Sequence, residues 1–392
     1  MFKFEALQAK HGDSLVIQYG DEGSPQILVV DGGPGGVYRR YLKKRLLELK
    51  SAFSPTSPLS LPLVMVSHMD DDHVNGILDL FEELQESHSE NEEGNFEVEQ
   101  VWFNSFDDIV GNDQIPEVSA LSASATVADL TDAVPELRGG DGHINAVIAS
   151  TGQGRRLRDD VSLLGVSRNE PFNADDDMKL VRGGSENSEV TLDGGLKITV
   201  LHPQEKRLCD MQAKWDRDLR EAEADGDNSV IFASFGDRDT SPFNLASIVC
   251  MLEYEGKKIL LTGDARDDDI LKGLSQAGFL DGNGEILVDV LKVPHHGSDR
   301  NVSTEFFTKV KAKNYVISGN GRHHNPDRAT LVMLSMATRG TEDFTIHFTN
   351  SEGSHDLKEV LDEFIEDDRA RGRTYGFEFR DEEALSLEID FS

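Results

Sequence analysis

The chain has 392 residues, 38% hydrophobic and 29% charged, so it is long enough to bury a large core and has the composition of a soluble globular protein. Its formal charge of −34 and the lack of a long basic stripe argue against duplex DNA as a ligand. Two cysteines, Cys209 and Cys250, exclude a disulfide framework and a cysteine zinc finger. No leader pattern is present and no window approaches about 18 apolar residues, so a cytoplasmic protein without membrane contact is expected.

The first part of the chain alternates strands with helices. Alternating or β-branched runs predict strands, and apolar residues at helical spacing predict helices. The apolar run LPLVMVSH is read as a buried strand that delivers His68 at its end. The strands are predicted at 2–9, 14–20, 27–33, 61–68 and 98–106, and the helices at 37–50 and 75–86.

The chain changes character between 107 and 192, where strand alternation stops. Small-residue runs at 119–134 and 144–165 predict helices, so this stretch is interpreted as a helical insertion. The predicted organisation is therefore an N-terminal half at 1–106, the insertion at 107–192 and a C-terminal half of the same domain at 193–392.

The C-terminal half returns to alternating strands and helices. Its strands are predicted at 196–203, 229–235, 246–254, 257–264, 286–293, 314–319, 344–350 and 384–391. Its helices are predicted at 205–225, 266–278, 302–313, 326–337 and 355–368. Strand ends in such a pattern are where α/β enzymes place their chemistry.

The motif HMDDDH at 68–73 follows a predicted buried strand directly. It supplies His68, Asp70, Asp72 and His73, and imidazole with carboxylate is the ligand set of Zn²⁺, Mn²⁺ or Fe²⁺. The alternative is an acidic helix N-terminus in which the aspartates only complement the helix dipole. Two histidines and three aspartates within six positions favour a metal site.

Two further predicted strands end in side chains that can bind metal. KKILLTGD ends at Asp264, which alone is also typical of a simple turn carboxylate. DVLKVPHH ends at His295 and His296. Neighbouring side chains of extended backbone point to opposite sides, so at most one of these histidines is expected to be an easy ligand.

These motifs resemble the metallo-β-lactamase superfamily, whose HxHxDH signature is matched by His68, Asp70, Asp72 and His73. Within it the chain is most similar to the ComEC/Rec2-type branch. The segments that carry this likeness are HGDSLVIQ, ILVVDGG, LKITVLHP, DNSVIFASF, LKVPHHGS and GNGRHHNPDRATL.

The resemblance implies an α/β fold, a four-layer αβ/βα sandwich with the mainly helical insertion, and two divalent metal ions, Zn or Mn, at its edge. His68 and Asp70 would hold one metal, Asp264 would bridge, and the other would take Asp72, His73 and one of His295 and His296. Asp70 replaces the family's second histidine, and Asn228 stands where a third-motif histidine is expected. The first site is therefore expected to be weaker or to prefer an oxygen-loving ion.

The predicted function is hydrolysis by a metal-bound hydroxide, with Asp72 orienting it. His324, and with less support His323, is the candidate donor or general acid, against the alternative of a histidine that only caps the helix at 326. The favoured substrates are phosphodiesters. They would belong to a phosphorylated small molecule or to a polymer such as single-stranded nucleic acid. Hydrolysis of a carboxylic ester, lactone or amide is the alternative, and a non-catalytic metal-binding module is another.

Four other features are interpreted structurally. Asp13 and Asp31 are expected to stabilise turns by accepting backbone hydrogen bonds. Arg155, Arg156 and Arg158 form the densest basic cluster and are expected to be salt-bridged at the surface, unless the insertion folds over the metal cleft, where they would receive phosphate. Cys250 lies in an apolar run and is predicted to be buried.

Overall fold

The computed structural model describes residues 1–110, 142–172, 179–213, 242–338, 344–350, 366 and 376–391. The predicted helix at 119–134, Asn228, the strand at 229–235 and most of the helix at 355–368 lie outside these residues. Among the described helices, none is both long enough and apolar enough to cross a lipid bilayer.

Strands are numbered in chain order. They are β1 (Phe2–Leu7), β2 (Leu15–Asp21), β3 (Ser24–Val30), β4 (Leu59–Leu61), β5 (Leu63–Met65), β6 (Phe96–Val98), β7 (Gln100–Trp102), β8 (Ser167–Arg168), β9 (Glu189–Thr191), β10 (Lys197–His202), β11 (Val249–Tyr254), β12 (Lys257–Leu261), β13 (Ile286–Lys292), β14 (Val310–Ile317), β15 (Thr345–Phe348), β16 (Gly376–Phe379) and β17 (Ser386–Asp390).

The α-helices are numbered in the same way, and a π-helical turn at Tyr38–Leu42 leads into the first. They are α1 (Lys43–Phe53), α2 (Asp71–Glu90), α3 (Phe106–Val110), α4 (Gly142–Leu164), α5 (Pro242–Leu245), α6 (Asp267–Gln276), α7 (Thr304–Lys309) and α8 (Arg328–Ala337). Short 3₁₀ turns occupy Pro294–Gly297 and Arg322–His324.

Two large sheets form the centre of the molecule. The first has seven strands in the order β17-β1-β2-β3-β5-β7-β8, and the second has eight in the order β16-β15-β14-β13-β12-β11-β10-β9. In both sheets the strands that carry the predicted site motifs are in parallel pairs: β3 with β5, and β12 with β13. Carboxyl ends of parallel neighbours meet at one sheet edge, so the motifs after β5, β12 and β13 are delivered to the same rim.

Three of the apolar clusters in the described part of the chain hold the layers together. The inner core lies between the two sheets and includes Phe4, Ile17, Cys250 and Val290 from strands of both. One outer core packs α1, α2 and α4 on the first sheet, and the other packs α6, α7 and α8 on the second. Because apolar faces on both sides of each sheet are covered, the architecture is the predicted four-layer αβ/βα sandwich.

Several elements differ from the sequence-based expectation. The strand predicted at 61–68 is broken at Pro62, which cannot donate a ladder hydrogen bond, and β4 pairs with β6 in a separate small sheet. Helix α2 begins at Asp71, not at 75, so Asp72 and His73 lie in its first turn. Helix α7 is shorter than expected because β14 already begins at Val310. The edge strand β16 was not predicted, and its residues are mostly exposed.

The predicted insertion does not lie apart from the sandwich in its described portions. Helix α4 packs beside α2, β8 extends the first sheet next to β7, and β9 extends the second next to β10. Because 111–141 and 173–178 lie outside the described residues, the division at 107 and 192 stays a prediction.

Candidate metal centre

Three chain segments bring the predicted ligands to one edge of the sandwich. His68 follows β5, Asp264 follows β12, and the 3₁₀ turn after β13 carries the two neighbouring histidines. The segments are joined through their backbones: the Ile248 amide donates to the Ser67 carbonyl at 2.8 Å, and the His295 amide donates to the Gly263 carbonyl at 3.1 Å. The rim is therefore built from both sheets.

Helix α2 approaches the loop after β3 very closely at Gly76. A Cβ atom on Gly76 would lie 1.9 Å from the Gly32 carbonyl oxygen, so no side chain fits there. The Gly32 amide also donates to the His73 carbonyl at 2.7 Å. This close contact fixes the first turn of α2, and with it His73, against the end of β3.

The Asp264 carboxylate stands between two groups of side chains. Its Oδ1 lies 3.4 Å from His73 Nε2 and 3.6 Å from His296 Nε2. Its Oδ2 lies 3.7 Å from His68 Nε2 and 3.4 Å from His295 Nε2. We call these the Oδ1 side and the Oδ2 side.

Each side also has a carboxylate from the HMDDDH motif. Asp72 belongs to the Oδ1 side, where its Oδ2 lies 3.5 Å from His296 Nε2 and its Oδ1 lies 3.9 Å from His73 Nε2. Asp70 belongs to the Oδ2 side, with its Oδ2 3.7 Å from His68 Nε2. The structure thus gathers all seven predicted ligands into two sets of two imidazoles and one carboxylate, joined by Asp264.

All four imidazoles are held by hydrogen bonds at Nδ1. His73 Nδ1 donates to Asp31 at 2.9 Å, His295 Nδ1 lies 2.8 Å from Asn301 Oδ1, and His296 Nδ1 donates to the Ser318 carbonyl at 3.0 Å. His68 Nδ1 lies 3.1 Å from Ser67 Oγ, which itself donates to Asp31. With the proton on Nδ1, each Nε2 presents its lone pair to the centre, as in metal-ligating histidines.

The donor set fits metal ions. Ligands about 2.0 Å from a tetrahedral ion are roughly 3.3 Å apart, close to the 3.3 Å between His73 Nε2 and His296 Nε2. Within the described part of the chain, His68 Nε2 and Asp264 Oδ1 are buried without a hydrogen-bond partner. Buried polar atoms are costly when unpaired, so both atoms are suited to a bound cation.

The protonation behaviour of the centre separates its two sides. Burial, together with the charge of His73, lowers the pKa of His68 to about 3, which keeps this imidazole neutral. Burial also lowers the pKa of His296, but the Asp264 and Asp13 carboxylates outweigh it and raise the pKa to about 9. Burial, with the negative charges of Asp72 and Asp264, raises the pKa of Asp70 to about 7. The carboxylates on the Oδ1 side therefore favour positive charge at this position.

The expectation that only one of His295 and His296 is an easy metal ligand assumed an extended backbone, and this assumption was wrong. The backbone there is not extended, since both residues have left-handed φ values of 46° and 54° within the 3₁₀ turn. This turn directs His295 to one oxygen of Asp264 and His296 to the other. The Oδ2 side consequently has two imidazoles, and the expectation of a nitrogen-poor first site does not follow from the geometry.

Asp31 and Asp13 do more than stabilise turns. Asp31 accepts from the Ser67 amide and Ser67 Oγ, both at 2.7 Å, in addition to His73. Asp13 is buried beside His296 and forms an ion pair with Lys292. The sequence indicated a special position for Asp31, because this residue ends a β-branched strand just before Gly-Gly. No sequence pattern predicts the ion pair between Asp13 and Lys292.

Helix α4 contacts the HMDDDH segment, but its arginines pair with carboxylates. Ser150 Oγ donates to Asp70 Oδ1 at 3.2 Å. Arg155 binds Asp107 through two nitrogens, Arg158 also approaches Asp107 at 3.8 Å, and Arg156 lies 3.6 Å from Glu82. The salt-bridged interpretation of the cluster therefore agrees with the structure.

The loop of His324 lies next to the centre, although this histidine is exposed. Asn325 Nδ2 donates to the His295 carbonyl at 3.2 Å, and the Asp327 amide donates to the Gly297 carbonyl at 3.0 Å. Helix α8 begins at Arg328 with Asp327 as its N-cap residue, so His324 is not the cap. Its role as donor stays a prediction, and the His323 side chain lies outside the described part.

Comparison with known proteins finds a short sequence match and a distant structural match. No protein-family model matches the chain. A segment of 98 residues, 24% of the chain, is 32% identical to ComE operon protein 3 of Bacillus subtilis (strain 168) and spans 12% of that protein's length. The solved structure of Tm1679, described as a metal-dependent hydrolase of the β-lactamase superfamily, is 11% identical with a TM-score of 0.37, and the match covers 100% of each chain.

Proposed function

We propose that this protein is a metal-dependent hydrolase of the metallo-β-lactamase type, and that it cleaves phosphodiester bonds in a phosphorylated small molecule or polymer, including single-stranded nucleic acid. The observation that carries the proposal is the placement of Asp264 between two matched ligand sets. Two divalent ions held there would supply an activated water at neutral pH and stabilise the negative charge that develops on phosphate oxygens.

The protein residues have distinct parts in this proposal. Asp264 would lie between the two ions, while Asp72, partly exposed beside His73 and His296, would hold one ion and orient the attacking water. His324, exposed on the neighbouring loop, is the proposed proton donor for the leaving group. Two imidazoles and one or two carboxylates per ion suit Zn²⁺, and the carboxylates also suit Mn²⁺.

An exposed arginine beside the centre favours a phosphate ester over a neutral substrate. Arg322 is exposed, and its Nη1 lies 3.5 Å from both ring nitrogens of His11. Gly12, next to His11, is so close to Asp72 that an added Cβ would lie 1.9 Å from the Asp72 carbonyl oxygen. Within the described residues no Asp or Glu forms an ion pair with Arg322. In a chain of charge −34, an exposed arginine next to the turn that contacts Asp72 is suited to an anionic substrate.

The proposal is tested with two chromogenic substrates. With Mn²⁺ or Zn²⁺ added, the protein is expected to hydrolyse bis(p-nitrophenyl) phosphate with a higher kcat/KM than p-nitrophenyl acetate. Arg322→Gln is expected to raise KM for the phosphodiester by roughly tenfold with little change in kcat, since it removes ground-state binding. Lys309→Gln, which removes a positive charge from the exposed side of α7, is the control and is expected to leave KM unchanged.

Two results would contradict the proposal. A preference for the carboxylic ester would identify the protein as an esterase-type hydrolase. Absence of turnover of both substrates, with two metal equivalents bound, would favour a non-catalytic metal-binding module.

A further inference from the structure

We propose that Asp13 and Lys292 form a buried ion pair that positions His296, so that its Nε2 is directed at the Oδ1 side of the centre. The inference rests on the proposed metal centre, because the orientation of His296 has a functional consequence only if its Nε2 binds a cation. Asp13 and Lys292 are positioning residues, since they act through His296.

The pair is isolated from water and close to the ring. Lys292 Nζ lies 2.6 Å from Asp13 Oδ2, and both side chains are 1% exposed. The other oxygen, Asp13 Oδ1, lies 3.5 Å from His296 Nδ1. Lys292 is the last residue of β13, four positions before His296, so one strand end supplies both the cation and the imidazole.

Stability alone is a weak reason for such a pair. Moving two charges out of water costs several kcal/mol per ion, and replacing a buried pair with apolar residues is often neutral or stabilising. Asp13 Oδ1 is moreover buried without a hydrogen-bond partner in the described part of the chain. A buried, charged carboxylate beside a histidine is better explained by its effect on the orientation of that histidine.

The geometry indicates that Asp13 acts from behind the ring. Asp13, His73, Asp264 and His296 offer atoms within 4.8 Å of one another, so Asp13 is near enough to be considered as a ligand. However, Asp13 faces Nδ1 of His296, while Nε2 faces Asp264 and Asp72. His296 Nδ1 donates its proton to the Ser318 carbonyl, and the Asp13 carboxylate behind the same nitrogen adds a negative charge that favours this orientation of the ring, with Nε2 directed at the centre.

The turn that carries Asp13 also holds Asp72. The Asp13 amide donates to the Asp72 carbonyl at 3.2 Å, and Ser318 Oγ donates to the Gly12 carbonyl at 2.6 Å. Ser318 in turn accepts from His296 Nδ1 through its own carbonyl. The turn therefore contacts two members of the Oδ1 side, Asp72 and His296. Within the described residues, no hydrogen bond or ion pair given above joins Asp13 to the Oδ2 side.

The test compares single and double variants of the pair. Asp13→Asn and Lys292→Met each leave one buried charge unpaired and are expected to lower Tm. The double variant Asp13→Asn/Lys292→Met removes both charges and is expected to recover most of the lost Tm.

Co²⁺ titration followed by visible absorption then reports metal binding without catalysis. In the double variant one of two Co²⁺ equivalents is expected to bind 10- to 100-fold more weakly, in about the range seen for such outer partners.

A matched control removes another ion pair whose carboxylate is buried. Glu5, which is fully buried, binds Arg45 of α1 at 2.7 Å. Glu5→Gln/Arg45→Met is expected to leave both Co²⁺ equivalents unchanged. A double variant at Asp13 and Lys292 that binds both Co²⁺ ions like the wild type would overturn the positioning role and leave the proposed function intact. A wild-type protein that binds no Co²⁺ would overturn the metal centre and this inference together.

Discussion

Replacing Asp264 with asparagine is expected to abolish phosphodiester hydrolysis and reduce the metal content from two equivalents to one or none. The substitution keeps the side-chain shape, but it removes the negative charge and turns one of the two oxygens into an NH₂ group that faces imidazole nitrogens. Loss of a single electrostatic contact to a transition state costs about 10²- to 10³-fold, so a loss of roughly 10³-fold or more is expected here. Metal analysis and kcat/KM measured on the same preparation check it.

The matched control is Asp268→Asn in the first turn of α6. Asp268 is exposed and pairs with Arg266 at 3.1 Å. This variant is expected to keep both metals and full activity. An Asp264→Asn protein that retains two tightly bound metals would show that Asp264 does not join the two sides.

Removal of metal by a chelator is expected to lower the melting temperature strongly. Three carboxylates, those of Asp70, Asp72 and Asp264, converge at this rim, and a cation offsets their repulsion. A metal present at about 1,000 times its Kd stabilises the folded state by about 4 kcal/mol, and each kcal/mol shifts Tm by roughly 2 °C in a large domain. Two such metals correspond to a decrease of roughly 15 °C.

The measurement is a thermal melt with and without EDTA, followed by addition of Zn²⁺ or Mn²⁺ to restore Tm. The Asp264→Asn variant serves as the comparison, and EDTA is expected to lower its Tm far less than that of the wild type. An unchanged Tm in wild-type protein from which metal has demonstrably been removed would contradict a stabilising role for the centre.

The alternation of strands and helices and the convergence of the motif residues could be predicted because both depend on local patterns, whereas the four-layer arrangement was implied by the family resemblance. Apolar strands that end in His68, Asp264 and His295 can be recognised from their own residues, and parallel neighbours bring such ends together. The broken strand at Pro62 and the early start of α2 at Asp71 were missed because boundaries depend on a few hydrogen bonds that periodicity does not reveal.

The partners behind the ligands were missed for a different reason. Asp13 and Lys292 meet only when β2 and β13, which belong to different sheets, are packed together. The joint use of His295 and His296 depends on two left-handed backbone conformations, which are unusual for residues other than glycine. Nothing in the composition or spacing of these segments specifies either feature.

The acidic composition and the chemistry of the site agree once the charge is considered locally. The formal charge of −34 disfavours long phosphate polymers at the general surface. At the rim, however, Arg322 and His11 lie next to the turn that contacts Asp72. Together with bound cations they would make this region locally attractive to a phosphate ester.

The most direct test of the central claim is the anomalous scattering from crystals grown with Zn²⁺ or Mn²⁺. Two peaks are expected, one on each side of Asp264: the first among Asp72, His73 and His296, the second among His68, Asp70 and His295. A single peak, or a peak bonded to Asp13 instead of to His296 Nε2, would contradict the two-sided centre described above.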